Sequence, residues 1–126
     1  MKKIINTKKA PKAIGPYNQA VLIKDILYCS GQIGINPKTN QLINNNIEEE
    51  TKQVLENIMA ILDTEKMTVS NVVKSSIFIT DMSQYTKINS IYSKYFTNDS
   101  PARETIEVSK LPKDANIEIS IIAVKD

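Results

Sequence analysis

At 126 residues and 14.1 kDa, the chain has the size of one domain and can bury a core without a disulfide or metal staple. Hydrophobic residues make up 41% and charged residues 24%, and the net charge of +2 is too small to call for a nucleic-acid or anionic-membrane partner. There is no histidine and Cys29 is the single cysteine, which excludes a Ser-His-Asp triad, a Cys-His dyad, a His- or Cys-built zinc site and an internal disulfide.

No apolar run approaches the roughly eighteen residues of a membrane span. The charged start, Met1-Lys2-Lys3, has no long apolar stretch behind it and does not read as a secretory signal. The expectation is a reduced, cytoplasmic protein.

In chain order, Ile4-Ile5 suits a short edge strand. Residues 10–16, with two prolines and a glycine, suit an irregular segment. Residues 17–23 and 26–33 are β-prone runs joined by Lys24-Asp25, a hairpin pattern. The Asn-rich stretch 34–46 reads as a loop. Ile47, Thr51, Val54, Leu55, Ile58, Ile61 and Leu62 recur at helical spacing, and Glu48, Glu49 and Glu50 favour the first turn through the helix dipole.

Residues 72–80 read as a strand. Asp81 is placed to cap a second helix whose buried face is Tyr85, Ile88, Tyr92, Tyr95 and Phe96. Residues 105–108 and 117–124 read as the last strands, with a turn over 111–115. The order β-β-β-α-β-α-β-β predicts an α+β domain spanning 1–126, a mixed sheet with both helices on one face. Apolar residues on both sides of the central strands leave a second face to cover, which predicts self-association.

Arg103 stands out because the other fifteen basic residues are all lysine. Its planar fork can hold a carboxylate through two parallel hydrogen bonds. An ion pair with one of the fourteen acidic residues and a ligand site are both open, and the Ser100-Pro101-Ala102-Arg103 setting before a strand favours the ligand. Alternation puts Arg103 and Thr105 on one strand face and Glu104 on the other.

Glu118 comes within reach of Arg103 if the last two strands form a hairpin. It then reads either as a general acid/base between Ile117 and Ile119 or as a solvent-facing glutamate. Asn89 falls on the aromatic helix face and needs hydrogen-bond partners there. Gly31 in Cys29-Ser30-Gly31-Gln32 permits close approach to the backbone. Ser30 lacks a histidine to activate it as a nucleophile.

Ala13-Ile14-Gly15-Pro16-Tyr17, Ser30-Gly31-Gln32-Ile33, Asn36-Pro37-Lys38-Thr39, Pro101-Ala102-Arg103, Glu107-Val108, Leu111-Pro112-Lys113 and Ile117-Glu118-Ile119 follow one another in order. In these blocks the chain resembles the RidA/YjgF family of reactive-intermediate deaminases, nearly end to end. The resemblance implies a chorismate-mutase-like fold, a homotrimer with clefts between subunits, and no cofactor or metal. It also implies hydrolysis of imine and enamine acids such as 2-aminoacrylate and 2-aminocrotonate to 2-oxo acids and ammonia.

By the same resemblance Arg103 would bind the substrate carboxylate and Glu118 would position water, with Tyr17, Ser30, Gly31, Asn89 and Thr105 lining the cleft. Glu104-Thr105 departs from the Ser-Cys of many relatives, and residues 97–100 form a shorter stretch than in several. Two other functions stand beside this one: a non-catalytic sensor of small carboxylates, and a ribonuclease or translation inhibitor. The low net charge, and the lack of a basic surface interleaved with aromatic residues, argue against the latter.

Overall fold

The computed structural model describes all of residues 1–126. Ile117–Val124 (β8) alternates strictly between buried and half-buried residues, and this alternation organises the sheet around it. On one side β8 pairs antiparallel with Ile26–Gln32 (β3), which continues through Ala20–Ile23 (β2) to the edge strand Lys3–Ile5 (β1). On the other side it pairs antiparallel with Val72–Ile79 (β6), which pairs in parallel with Ala102–Glu107 (β7). The strand order is β1-β2-β3-β8-β6-β7.

Ile47–Asp63 (α1) starts at Asn46, whose side chain accepts the Glu49 N–H at 2.8 Å. Its stripe of Val54, Leu55, Ile58, Ile61 and Leu62 is at most 1% exposed. Tyr85–Tyr95 (α2) adds Ile88 and Tyr92. Both helices bury the sheet face that carries Leu27, Cys29, Ile77, Ile79, Ile117, Ile119, Ile121 and Ala123 in one hydrophobic cluster. Burial pushes the Cys29 thiol up to about 12, so it packs as a small hydrophobe. No helix is long and apolar enough to cross a membrane.

The opposite sheet face has no helix. Its rows run Tyr28–Ile122–Lys74, Ser120–Ser76–Glu104 and Glu118–Phe78–Ile106. Tyr28, Val73 and Ile106 stay 44%, 49% and 46% exposed. Glu104 is tied down here: its carboxylate takes Lys74 Nζ at 2.7 Å and the Ser76 hydroxyl.

The structure corrects several sequence expectations. Residues 34–46 contain a small antiparallel pair, Ile35–Asn36 (β4) and Gln41–Leu42 (β5), reversed by Asn40 in the left-handed region at φ 60°. Asp81 caps a 3-10 turn, Met82–Gln84, and α2 begins only after it. Tyr17 precedes β2 rather than lying in it, and Tyr85 is 39% exposed rather than buried. β7 begins at Ala102, so Arg103 lies inside a strand. The hairpin between β7 and β8 does not form, because β6 pairs with both and separates them.

Candidate functional site

Arg103 stands on β7 opposite Ser75, and Thr105 opposite Ile77, so both side chains take the helix-covered face. The guanidinium carbon lies 4.9 Å from the Tyr92 ring centroid and 5.7 Å from that of Tyr85. Nη2 donates to the Tyr85 hydroxyl at 3.0 Å. The Tyr92 ring is fixed behind it by stacking on Phe96, with centroids 4.4 Å apart, and by a buried 2.9 Å hydrogen bond from its hydroxyl to Ser75 Oγ. Arg103 makes no ion pair in its own chain, where the four ion pairs all use lysine. The structural ion pair left open by the sequence is absent.

The surroundings carry the same polarity. Asn89, half-buried one turn beyond Tyr85, and then Arg103 hold the Tyr85 phenol below the ordinary tyrosine range. Burial pushes the Tyr92 phenol up, against smaller opposing effects of Ser75 and Arg103. Thr105 Oγ1 is buried and bonds to nothing in the chain. This patch is a guanidinium held flat on aromatic rings, with a spare hydroxyl and an amide beside it. Such a patch can orient a planar carboxylate.

Glu118 lies on the other sheet face, opposite Phe78. An extra residue bulges β3 at Ser30-Gly31, between the pairs Cys29↔Ile121 and Gln32↔Ile119. The Glu118 carboxyl fills the space a side chain at Gly31 would occupy: a Cβ there would stand 2.5 Å from Oε2. Ser30 is fixed by its Oγ–H donating to the Asn18 carbonyl at 2.6 Å, so it is a structural hydroxyl.

The carboxyl opens into a pocket of about 140 Å³ whose lining includes Tyr17, Gln19, Gly31, Ile33 and Lys12 but not Arg103. Burial raises Glu118 above the ordinary carboxylate range, and no group of the chain hydrogen-bonds to it. A half-buried carboxyl free of partners, raised above the ordinary carboxylate range, can take and return a proton.

Gln19 is a part of this half that the sequence did not reveal. Buried, it accepts the Thr7 N–H at 2.7 Å and donates to the carbonyls of Thr7, Ala10 and Pro11 at 3.0, 3.2 and 2.8 Å. It thereby pins the irregular segment that leads to Tyr17. Glu50 does the same for the start of β8, accepting the backbone N–H and side-chain amide of Asn116 at 2.7 and 2.8 Å. Only their polarity within apolar patterns could have marked them.

The seven residues singled out from the sequence thus fall into two groups. Arg103, Thr105 and Asn89 gather near α2; Glu118, Gly31, Ser30 and Tyr17 gather at the β3 bulge and the irregular segment before β2. The sheet lies between them. Two separate polar patches on opposite faces of one mixed sheet mark a small α+β protein.

The chain belongs to the family described as Endoribonuclease L-PSP, whose model matches residues 7–125, and its relatives carry the RutC and Rid names. A RutC family protein of Saccharolobus solfataricus is 52% identical over 99% of both chains. The human 2-iminobutanoate/2-iminopropanoate deaminase is 42% identical over 99% of this chain and 91% of its own. Among solved structures, a Rid protein of Yersinia pestis is 50% identical, covers 99% of this chain and 100% of its own, and superposes with a TM-score of 0.94. TdcF of E. coli, solved with bound serine, is 37% identical, covers 98% and 99%, and gives the same TM-score of 0.94.

Proposed function

We propose that the chain hydrolyses reactive imine and enamine acids of the 2-aminoacrylate and 2-aminocrotonate type to 2-oxo acids and ammonia. The observation that carries this reading is Arg103 itself: the single arginine, without a carboxylate partner, presented on two tyrosine rings. The deaminase name of the human relative and the serine bound to TdcF, a ligand that carries a carboxylate, support a small carboxylate substrate.

Arg103 grips the substrate carboxylate, and Thr105 and Asn89 offer it further hydrogen bonds. An enamine first takes a proton on carbon and becomes the iminium ion. Glu118 takes a proton from water as its oxygen bonds to the C=N carbon. The resulting carbinolamine nitrogen is protonated, the C–N bond breaks with its electron pair leaving on nitrogen, and the hydroxyl proton is lost as the 2-oxo acid forms. An iminium carbon is already electrophilic, so orientation and proton transfer are sufficient without a metal or a nucleophilic side chain.

Arg103 and Glu118 can serve one substrate only if two copies meet. The uncovered face around Tyr28, Phe78 and Ile106 supplies apolar surface for association, and the family resemblance supports a homotrimer with a cleft at each subunit boundary. Tyr17, Ser30 and Gly31 then come from the subunit that gives Glu118. With its lone reduced cysteine, the protein would work in the cytoplasm.

The test is a coupled assay with serine or threonine dehydratase, in which the protein speeds release of oxo acid and ammonia and Arg103→Ala abolishes the effect. Binding of 2-oxo acids without turnover would instead identify a sensor.

A further inference from the structure

We propose that Tyr85 is a further substrate-binding residue, its phenol O–H donating to the same carboxylate that Arg103 grips. The inference rests on the carboxylate reading above and adds a residue that neither the sequence motifs nor the relatives' names single out.

A guanidinium can only donate hydrogen bonds. At 3.0 Å from Arg103 Nη2, the Tyr85 oxygen is therefore the acceptor, and its own proton must point away from Arg103. No acceptor in the chain takes that proton: Arg103 at 3.0 Å and the neighbouring Asn89 amide both act on the Tyr85 oxygen as donors. The side chain is 39% exposed, although Ile88 and Tyr92 on the same helix are buried. Its ring lies 5.7 Å from the guanidinium carbon, so the free O–H opens onto the solvent that borders the guanidinium.

A carboxylate seated on Arg103 brings two oxygens with about four lone-pair directions, and a two-pronged arginine contact satisfies only half of them. The phenol proton supplies one more, charge-assisted bond beside those of Arg103. The depressed Tyr85 phenol is the stronger donor for it.

Tyr85→Phe keeps the ring against Arg103 and removes the oxygen alone. The probe is 2-oxobutanoate, titrated calorimetrically against the assembled wild-type protein, Tyr85→Phe and Arg103→Ala, beside dehydratase-coupled kinetics. The expected result for Tyr85→Phe is a Kd and KM about tenfold higher, with kcat held within about twofold. Unchanged binding in Tyr85→Phe, with binding lost in Arg103→Ala, overturns the role of Tyr85 and leaves the carboxylate reading standing. A fall in kcat as large as the rise in KM also overturns it, since Tyr85 would then act only by steadying Arg103. Wild-type binding that persists in Arg103→Ala overturns the carboxylate reading, and the Tyr85 proposal with it.

Discussion

Arg103 and Glu118 point to opposite faces of the same sheet. Arg103 is in register with Ser75 and Glu118 with Phe78, on the one strand that pairs with both of theirs, and residues three apart on a strand face opposite ways. No side-chain rotation brings the two groups to one small molecule through that layer. The proposed chemistry therefore makes a firm demand on quaternary structure.

Glu118→Gln removes the proton acceptor while keeping the shape. Turnover is expected to fall by about 10²- to 10⁴-fold. Burial raises the folded carboxyl, so the folded state holds its proton to higher pH than the unfolded chain. Stability associated with Glu118 is thus present below the unfolded value and lost as pH rises through the raised one. At neutral pH the variant should melt at the same temperature as the wild type or slightly above it. For the same reason, the acid limb of wild-type kcat/KM should lie above the ordinary glutamate range, in a profile measured with substrate generated in place.

Gly31→Ala tests the cradle. The added methyl would stand 2.5 Å from Glu118 Oε2 and 2.7 Å from its Cδ, so the carboxyl must swing away. The displaced atoms are the end of a flexible side chain, which makes the change cheap for folding and costly for geometry. The expected outcome is a kcat reduced by roughly 10- to 100-fold with little change in melting temperature, read by paired kinetics and thermal melts.

Glu65 fastens both ends of the chain. Its carboxylate takes Lys3 and Lys125, each at 2.9 Å, and these two lysines, Lys125 first, hold it below the ordinary glutamate range. A depressed carboxyl contributes stability above its unfolded value and loses it as pH falls through the folded one. Melting temperature should therefore drop more steeply in acid for the wild type than for Glu65→Gln, the two curves converging at the lowest pH. Parallel curves would contradict the role of this contact.

What the sequence made legible was set by periodicity and local chemistry. The α1 stripe and the alternation of β8 depend on near neighbours, and the two helices on one face follow from them, whereas the short β4–β5 pair inside the Asn-rich stretch left no periodic signal. The partner strand of β7 does not: β7 could pair with β8 through a short turn or with β6 through α2, and only three-dimensional packing chooses the parallel crossover. That choice moved Arg103 and Glu118 apart. The spacing of Tyr85 matches the buried stripe of α2, yet the residue is 39% exposed and its hydroxyl accepts from Arg103, a long-range contact that helical periodicity does not encode.

The most direct test of a shared cleft is complementation between two inactive variants. Arg103→Ala and Glu118→Ala, each inactive alone, are unfolded together, reassembled in equal amounts and assayed with the dehydratase couple. Every mixed trimer contains one boundary where an intact Arg103 meets an intact Glu118 and at least one where neither partner is complete. Random mixing should therefore restore about a quarter of wild-type turnover. A mixture that mass spectrometry shows to be scrambled, yet that stays as inactive as either parent, would contradict the account.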